Sequence, residues 1–187
     1  MAQPAVPLAT YDQILALPEN VVGEIVDGAL YTHPRPAPRH ARAATRLTGE
    51  LGPPFDRGKD GPGGWVILVE PELHLGGNVL VPDLAGWRRE TMPELQVEKA
   101  YFEQTPDWVC EVLSPSTASL DRGPKRRVYA KHGVRHVWLL DPTVHTLEIL
   151  ELDGNGYRIL DVFSGDEVVR AVPFDAIELE LSALWAL

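Results

Sequence analysis

The run Trp108-Val-Cys-Glu-Val-Leu113 sets a carboxylate in an otherwise apolar segment. Strand alternation places Glu111 on the face of Val109 and Leu113. An ionised carboxylate buried without a partner is strongly disfavoured, so an arginine or a bound cation must compensate it. Asp83 raises the same question in Val79–Trp87, read as one strand in which Val79, Val81 and Ala85 share its face. A strand-end turn is the plainer reading of Asp83 alone. Two buried acids from neighbouring strands, however, repel each other unless a cation lies between them, and hard oxygen ligands suit magnesium or manganese.

Lys125 shares a helical face with Val128, Tyr129 and His132, so it points inward, whereas Arg126, Arg127 and Lys131 point elsewhere. Beside a metal-bound carboxylate pair, such a lysine can hold the attacking water or offset transition-state charge. The alternative is a lysine that snorkels to water along the sheet edge. Glu24, on the face of Val22 and Val26, is a candidate further metal ligand or an exposed edge acid. His40 leads an apolar helical stripe and is an accessory candidate, a core histidine being the commoner case. Asp121 reads as the cap of the Lys125 helix, with a site role as the alternative.

The elements that position these residues follow from periodicity and breakers. Thr10 caps a short helix stopped by Pro18, and Val21–Thr32 is a hairpin turning at Asp27-Gly28. Pro34, Pro36 and Pro38 form an extended connection to a helix over Arg39–Leu51, ended by Gly52-Pro53-Pro54. Trp65–Val69, Glu72–Leu75 and Val79–Trp87 read as a β-meander, and Trp108–Leu113 as a central strand buried on both faces. A helix over Asp121–His132 tolerates Pro124 only in its first turn. Strand His136–Leu140 and a hairpin around Asp153-Gly154-Asn155-Gly156 follow. This order predicts an α+β fold, a mixed β-sheet flanked by helices with additional hairpins, in one domain over residues 1–187.

The net charge of -10 opposes nucleic-acid binding if spread evenly, but Arg122, Lys125, Arg126, Arg127, Lys131 and Arg135 concentrate positive charge locally. A phosphate-facing patch and a solvated helix face are the two readings. Cys110 is the only cysteine, which excludes an internal disulfide and a cysteine-cluster zinc site. With no signal-like or membrane-spanning stretch, a cytoplasmic protein is expected.

Val81-Pro-Asp83, Trp108-Val-Cys-Glu-Val-Leu-Ser-Pro-Ser116, Asp121-Arg-Gly-Pro-Lys125, Tyr129-Ala-Lys-His-Gly-Val134 and Val137-Trp-Leu-Leu-Asp-Pro142 carry a wider resemblance. With Gly23-Glu-Ile-Val-Asp-Gly28 and His40, they resemble the signature of the Uma-two family, bacterial restriction-endonuclease-like proteins of the PD-(D/E)XK superfamily. The resemblance implies a restriction-endonuclease-like core and phosphodiester cleavage by an Asp, an acidic residue two positions before a lysine, and a divalent metal. Here Leu113 stands where that lysine would be, and the resemblance implies that Lys125 supplies the ammonium group from the following helix.

The resulting expectation is a metal-dependent endonuclease acting on nucleic acid, DNA in the first place. Asp83, Glu111 and the Val112 carbonyl would hold Mg2+ or Mn2+, Lys125 would orient the water, and Glu24 would hold a second ion or a water. Lys125 is expected to matter more for the transition state than for folding. A non-catalytic module binding nucleic acid or protein, and a hydrolase of smaller phosphate esters, are the rivals; a homodimer is left open.

Overall fold

The structure, a computed structural model, describes residues 7–34 and 36–186. Residues 1–6, Arg35 and Leu187 lie outside it, and with them part of the N-terminal stretch and of the proline-rich connection read above. Among the described residues no helix is long and apolar enough to cross a membrane.

The N-terminal helix α1 (Tyr11–Leu15) carries the Thr10 cap, completed by Gln13 in a reciprocal capping box. β1 (Val21–Val26) and β2 (Ala29–Pro34) form the hairpin, with Asp27 and Gly28 both at positive φ as such a turn requires. α2 (Pro38–Leu51) buries Ala43, Ala44, Leu47 and Leu51, and Gly52–Asp56 adds a π-helical turn instead of ending the helix.

Next come β3 (Trp65–Val69), β4 (Leu73–Leu75), β5 (Asn78–Leu80), β6 (Leu84–Arg88) and β7 (Trp108–Val112). They do not form a meander. β3 pairs with β6, whereas β4 pairs with β5 and β5 with β1. The expected strand Val79–Trp87 is broken at Val81-Pro82-Asp83, where the chain leaves a four-stranded sheet (β2-β1-β5-β4) and enters a six-stranded one. Pro82 has no N–H to continue a ladder, which favours the break at that point. Asp83 therefore stands at the mouth of β6, not mid-strand.

The six-stranded sheet has the order β10-β9-β8-β7-β6-β3, with β8 (His136–Asp141), β9 (Thr146–Asp153) and β10 (Gly156–Ser164). Its β7 and β8 are parallel, and the crossover between them is the Lys125 helix. That helix begins at Ala118, a turn earlier than predicted. It runs as α3 (Ala118–Leu120), a π-helical segment (Asp121–Lys125) and α4 (Arg126–Lys131). Asp121 is thus inside the helix and not its cap, and the wider π turn holds Pro124, which cannot donate to an ordinary helical ladder. β11 (Val168–Val169), β12 (Leu179–Glu180) and α5 (Ser182–Trp185) complete the chain.

Period-two alternation in β7 divides the core. Trp108, Cys110 and Val112 pack toward α2 and α5 with Trp138 and Phe174. Val109 and Leu113 pack toward α4 with Leu139, Val128 and Tyr129. Glu111 lies on this second face, beneath the helix that carries Lys125.

His136 at the start of β8 offers a test of this packing. Burial, aided by the charge of Arg135, holds its pKa down at about 4 against an ordinary 6.5. The unfolded chain therefore takes up a proton between about pH 6.5 and 4 that the folded chain refuses, and stability falls with pH across that window. The expected loss is about 2 kcal/mol on going from pH 7 to pH 5. Urea melts of His136→Gln should show that much less acid sensitivity; an unchanged difference between the two pH values would show that His136 is not the group responsible.

Candidate active site

The break between the sheets opens a cavity of about 310 Å3, lined among others by Glu24, His33, His40, Glu70, Asp83, Glu111, Asp121 and Lys125. The sequence candidates Glu24, His40, Asp83, Glu111, Asp121 and Lys125 thus converge from β1, α2, the Pro82 crossing, β7 and the crossover helix. Val112 reaches the site through its main chain only, because its side chain belongs to the opposite core.

Lys125 is buried at the centre. Its Nζ lies 3.0 Å from Glu24 Oε1, 2.9 Å from Glu111 Oε1 and 3.3 Å from Asp121 Oδ1. Burial alone would lower its pKa, but Glu111 and Glu24 outweigh that and hold it well above the ordinary lysine value. An ammonium has three N–H donors, and all three have a carboxylate in reach.

The carboxylates around it differ in state. Burial pushes Glu24 upward, yet Lys125, His33 and the Val81 N–H, which donates to Glu24 Oε1 at 2.7 Å, bring it down to about 2. Glu111 is held well above the carboxylate range by burial, reinforced by Asp121, Asp83 and Glu24, against the pull of Lys125. Its Oε1 also accepts a hydrogen bond from the Tyr129 hydroxyl. The contrast has a physical cause: Glu24 has three separate donors, whereas Glu111 sits mid-strand in a more enclosed place among other acids. Asp121 is likewise raised, by burial, with Lys125 opposing.

Asp83 is tied into the strand beside it. Its Oδ2 accepts the Val112 N–H at 2.7 Å, and its Oδ1 is 3.2 Å from His40 Nε2. Its own carbonyl accepts the Glu70 N–H at 2.9 Å. Burial lowers the His40 pKa, but Asp83 and the Val112 carbonyl reverse this and leave it raised. Nδ1 of His40 is buried without a hydrogen-bond partner of good geometry.

The sequence reading passed over His33 and Glu70. His33 was legible from the hairpin: counting from Asp27-Gly28, Val22 pairs with His33, which places it on the Glu24 face. Its Nε2 is 3.2 Å from Glu24 Oε2. Glu70 carried no sequence signal; it adopts φ of 48°, a left-handed conformation costly for a non-glycine residue. The basic patch is partly dismantled, since Lys125 is buried, Arg122 pairs with Glu148, and Arg135 lies 3.7 Å from Glu151.

Mixed sheet, parallel β7–β8 crossover and a carboxylate-rich cavity at the sheet break define a restriction-endonuclease-like α+β protein. The profile of the family Uma2, described as "Putative restriction endonuclease", matches residues 8–183, and the chain belongs to that family. It is also similar in structure to a protein described as "a putative nuclease belonging to DUF820" from Anabaena variabilis ATCC 29413. That likeness covers 95% of this chain and 97% of the other with a TM-score of 0.76, and at 23% identity it bears on the fold alone. No curated protein matches the chain.

Proposed function

We propose that this chain, acting as one domain in the cytoplasm, is a divalent-metal-dependent endonuclease that hydrolyses nucleic-acid phosphodiesters, DNA in the first place. The observation that carries the reading is that Asp83, at the Pro82 crossing, and Glu111, on β7, line one cavity with Lys125 and His40 in a member of this family.

Among the described residues no group of three or more His, Cys, Asp and Glu side chains is spaced to hold a metal ion. Magnesium needs fewer, because it keeps several waters and is often bound through one or two carboxylates. Asp83 and Glu111 with the Val112 carbonyl, all hard oxygen donors, suit it or manganese. Such an ion, when bound, polarises a phosphate oxygen and acidifies a bound water.

The protein groups supply the rest. His40, held by Asp83 through Nε2, lines the cavity, and its charge when the ring is protonated is proposed to attract a phosphate oxygen. Glu24 is proposed to position a water or a second ion. The sequence predicts that Lys125 orients the attacking water. With its three N–H groups engaged by Glu24, Glu111 and Asp121, the role we propose is to hold those carboxylates in place and offset their charge.

The test is nicking of supercoiled plasmid with Mg2+ or Mn2+. Wild-type protein should relax the plasmid and stop on chelation, and Asp83→Ala should cut at least about a hundredfold more slowly. A wild-type protein that cuts no nucleic acid with either ion would favour the binding-module reading, with which Leu113 at the usual lysine position agrees.

A further inference from the structure

A second cavity, of about 610 Å3, adjoins the first and shares Pro36, His40, Glu70 and Asp83 with it. One wall is a stripe of α2, where Ala41, Ala44, Thr45, Thr48 and Gly49 follow one another at helical spacing. The hydroxyls of Thr45 and Thr48 are turned back onto the carbonyls of Ala41 and Ala44, so little on this wall competes for polar ligand atoms. A Cβ added at Gly49 would meet nothing within 4 Å. Packing therefore does not require glycine there, although glycine weakens a helix interior. What glycine preserves is room in the groove.

The far end is closed by Pro53, Asp56 and Arg57. Arg57 is exposed, and among the described residues no ion pair engages it. From His40 to Gly52 the helix rises by about 18 Å, enough for a short run of nucleotides even at the 3.4 Å spacing of a stacked strand.

We propose that this groove is the path of an unpaired polynucleotide strand running on from the scissile phosphate, with Arg57 holding one of its phosphates. The proposal rests on the nuclease reading and adds a preference for single strands over duplex. A duplex offers a protein mainly charged phosphates on its outside, about one per 1.7 Å, and needs matching cations. This groove offers Arg57 and His40 against Asp56, Glu70 and Asp83, in a chain of net charge -10. Its small, largely apolar walls instead match the base faces of an unpaired strand, which a duplex keeps stacked inside.

Binding of short fluorescein-labelled DNA and RNA oligonucleotides, single-stranded and duplex, is measured by anisotropy in EDTA, and cleavage separately in Mn2+. Gly49→Leu fills the groove at a helix position that favours leucine, Arg57→Ala removes the cation, and Arg46→Ala on the same helix outside the lining is the control. All should melt close to wild type. The expected result is at least about tenfold tighter binding of a single strand, of either sugar, than of duplex at low salt, weakened severalfold by Gly49→Leu and Arg57→Ala but not by Arg46→Ala. Equal or tighter duplex binding, or groove variants that bind single strands like wild type, would overturn the proposal, as would a wild type that binds no oligonucleotide. If wild type cleaves and Asp83→Ala does not while the groove variants bind normally, the nuclease reading stands and the groove fails. If groove variants lose single-strand binding and wild type never cleaves, the groove stands and catalysis fails.

Discussion

Lys125→Met is expected to destabilise the protein by about 3–5 kcal/mol, the usual consequence of removing one partner from a buried ionic cluster. At about 2–4 °C per kcal/mol for a chain of this size, the melting temperature should fall by roughly 6–20 °C. The reason is electrostatic. Methionine keeps the stem but leaves Glu24, Asp121 and Glu111 facing one another in a place that water scarcely reaches, with no cation between them. This outcome would run against the sequence expectation that Lys125 serves the transition state more than the fold. Glu24→Gln added to Lys125→Met should restore part of the loss, because the double variant removes the most firmly ionised of those acids. A single variant that melts within about 2 °C of wild type, equivalent to about 1 kcal/mol or less, would show that the ammonium is not the counter-ion of the site.

Glu111→Gln is expected to do the opposite. Burial raises the Glu111 carboxyl above its ordinary pKa, so a neutral isostere relieves that desolvation while its amide oxygen can still accept from Lys125 and Tyr129, and the melting temperature of the ion-free protein should change far less than in Lys125→Met. Its cost appears with the ion. Manganese at a hundred times its dissociation constant should stabilise wild type by about 2.7 kcal/mol, a rise of roughly 5–10 °C, because it binds only the folded state. Glu111→Gln should lose most of that rise, and cleavage should fall by about a thousandfold. A manganese shift that survives the substitution would place the ion elsewhere, with His33 and His40 next to be replaced. No shift even in wild type would remove the metal site itself. The two variants together would separate the roles of one ion pair, with Lys125→Met reading the fold and Glu111→Gln reading the ion.

Much of this arrangement was legible in the residues. The apolar run around Glu111, the inward face of Lys125 and the Asp27-Gly28 hairpin follow from local periodicity and turn chemistry, which operate over a few residues and need no partner to be known. The same hairpin register would have placed His33 beside Glu24 had it been counted through. The sequence thus determined which faces carry polar groups into apolar surroundings, and hence that each such group needed a compensating partner. It could not determine how the strands pair. Val79–Trp87 looks continuous because alternation persists through it; only the tertiary structure shows the chain changing sheets at Pro82, which puts Asp83 at the cavity mouth. Likewise a proline inside a helix reads as a start signal, whereas the π turn that holds Pro124 moves the helix start back to Ala118 and turns Asp121 onto Lys125. Most of all, whether Lys125 meets a phosphate-bound water or three carboxylates depends on how far apart β1, β7 and the crossover helix pack. That distance is set by the sum of long-range contacts across two sheets, and no local pattern encodes it.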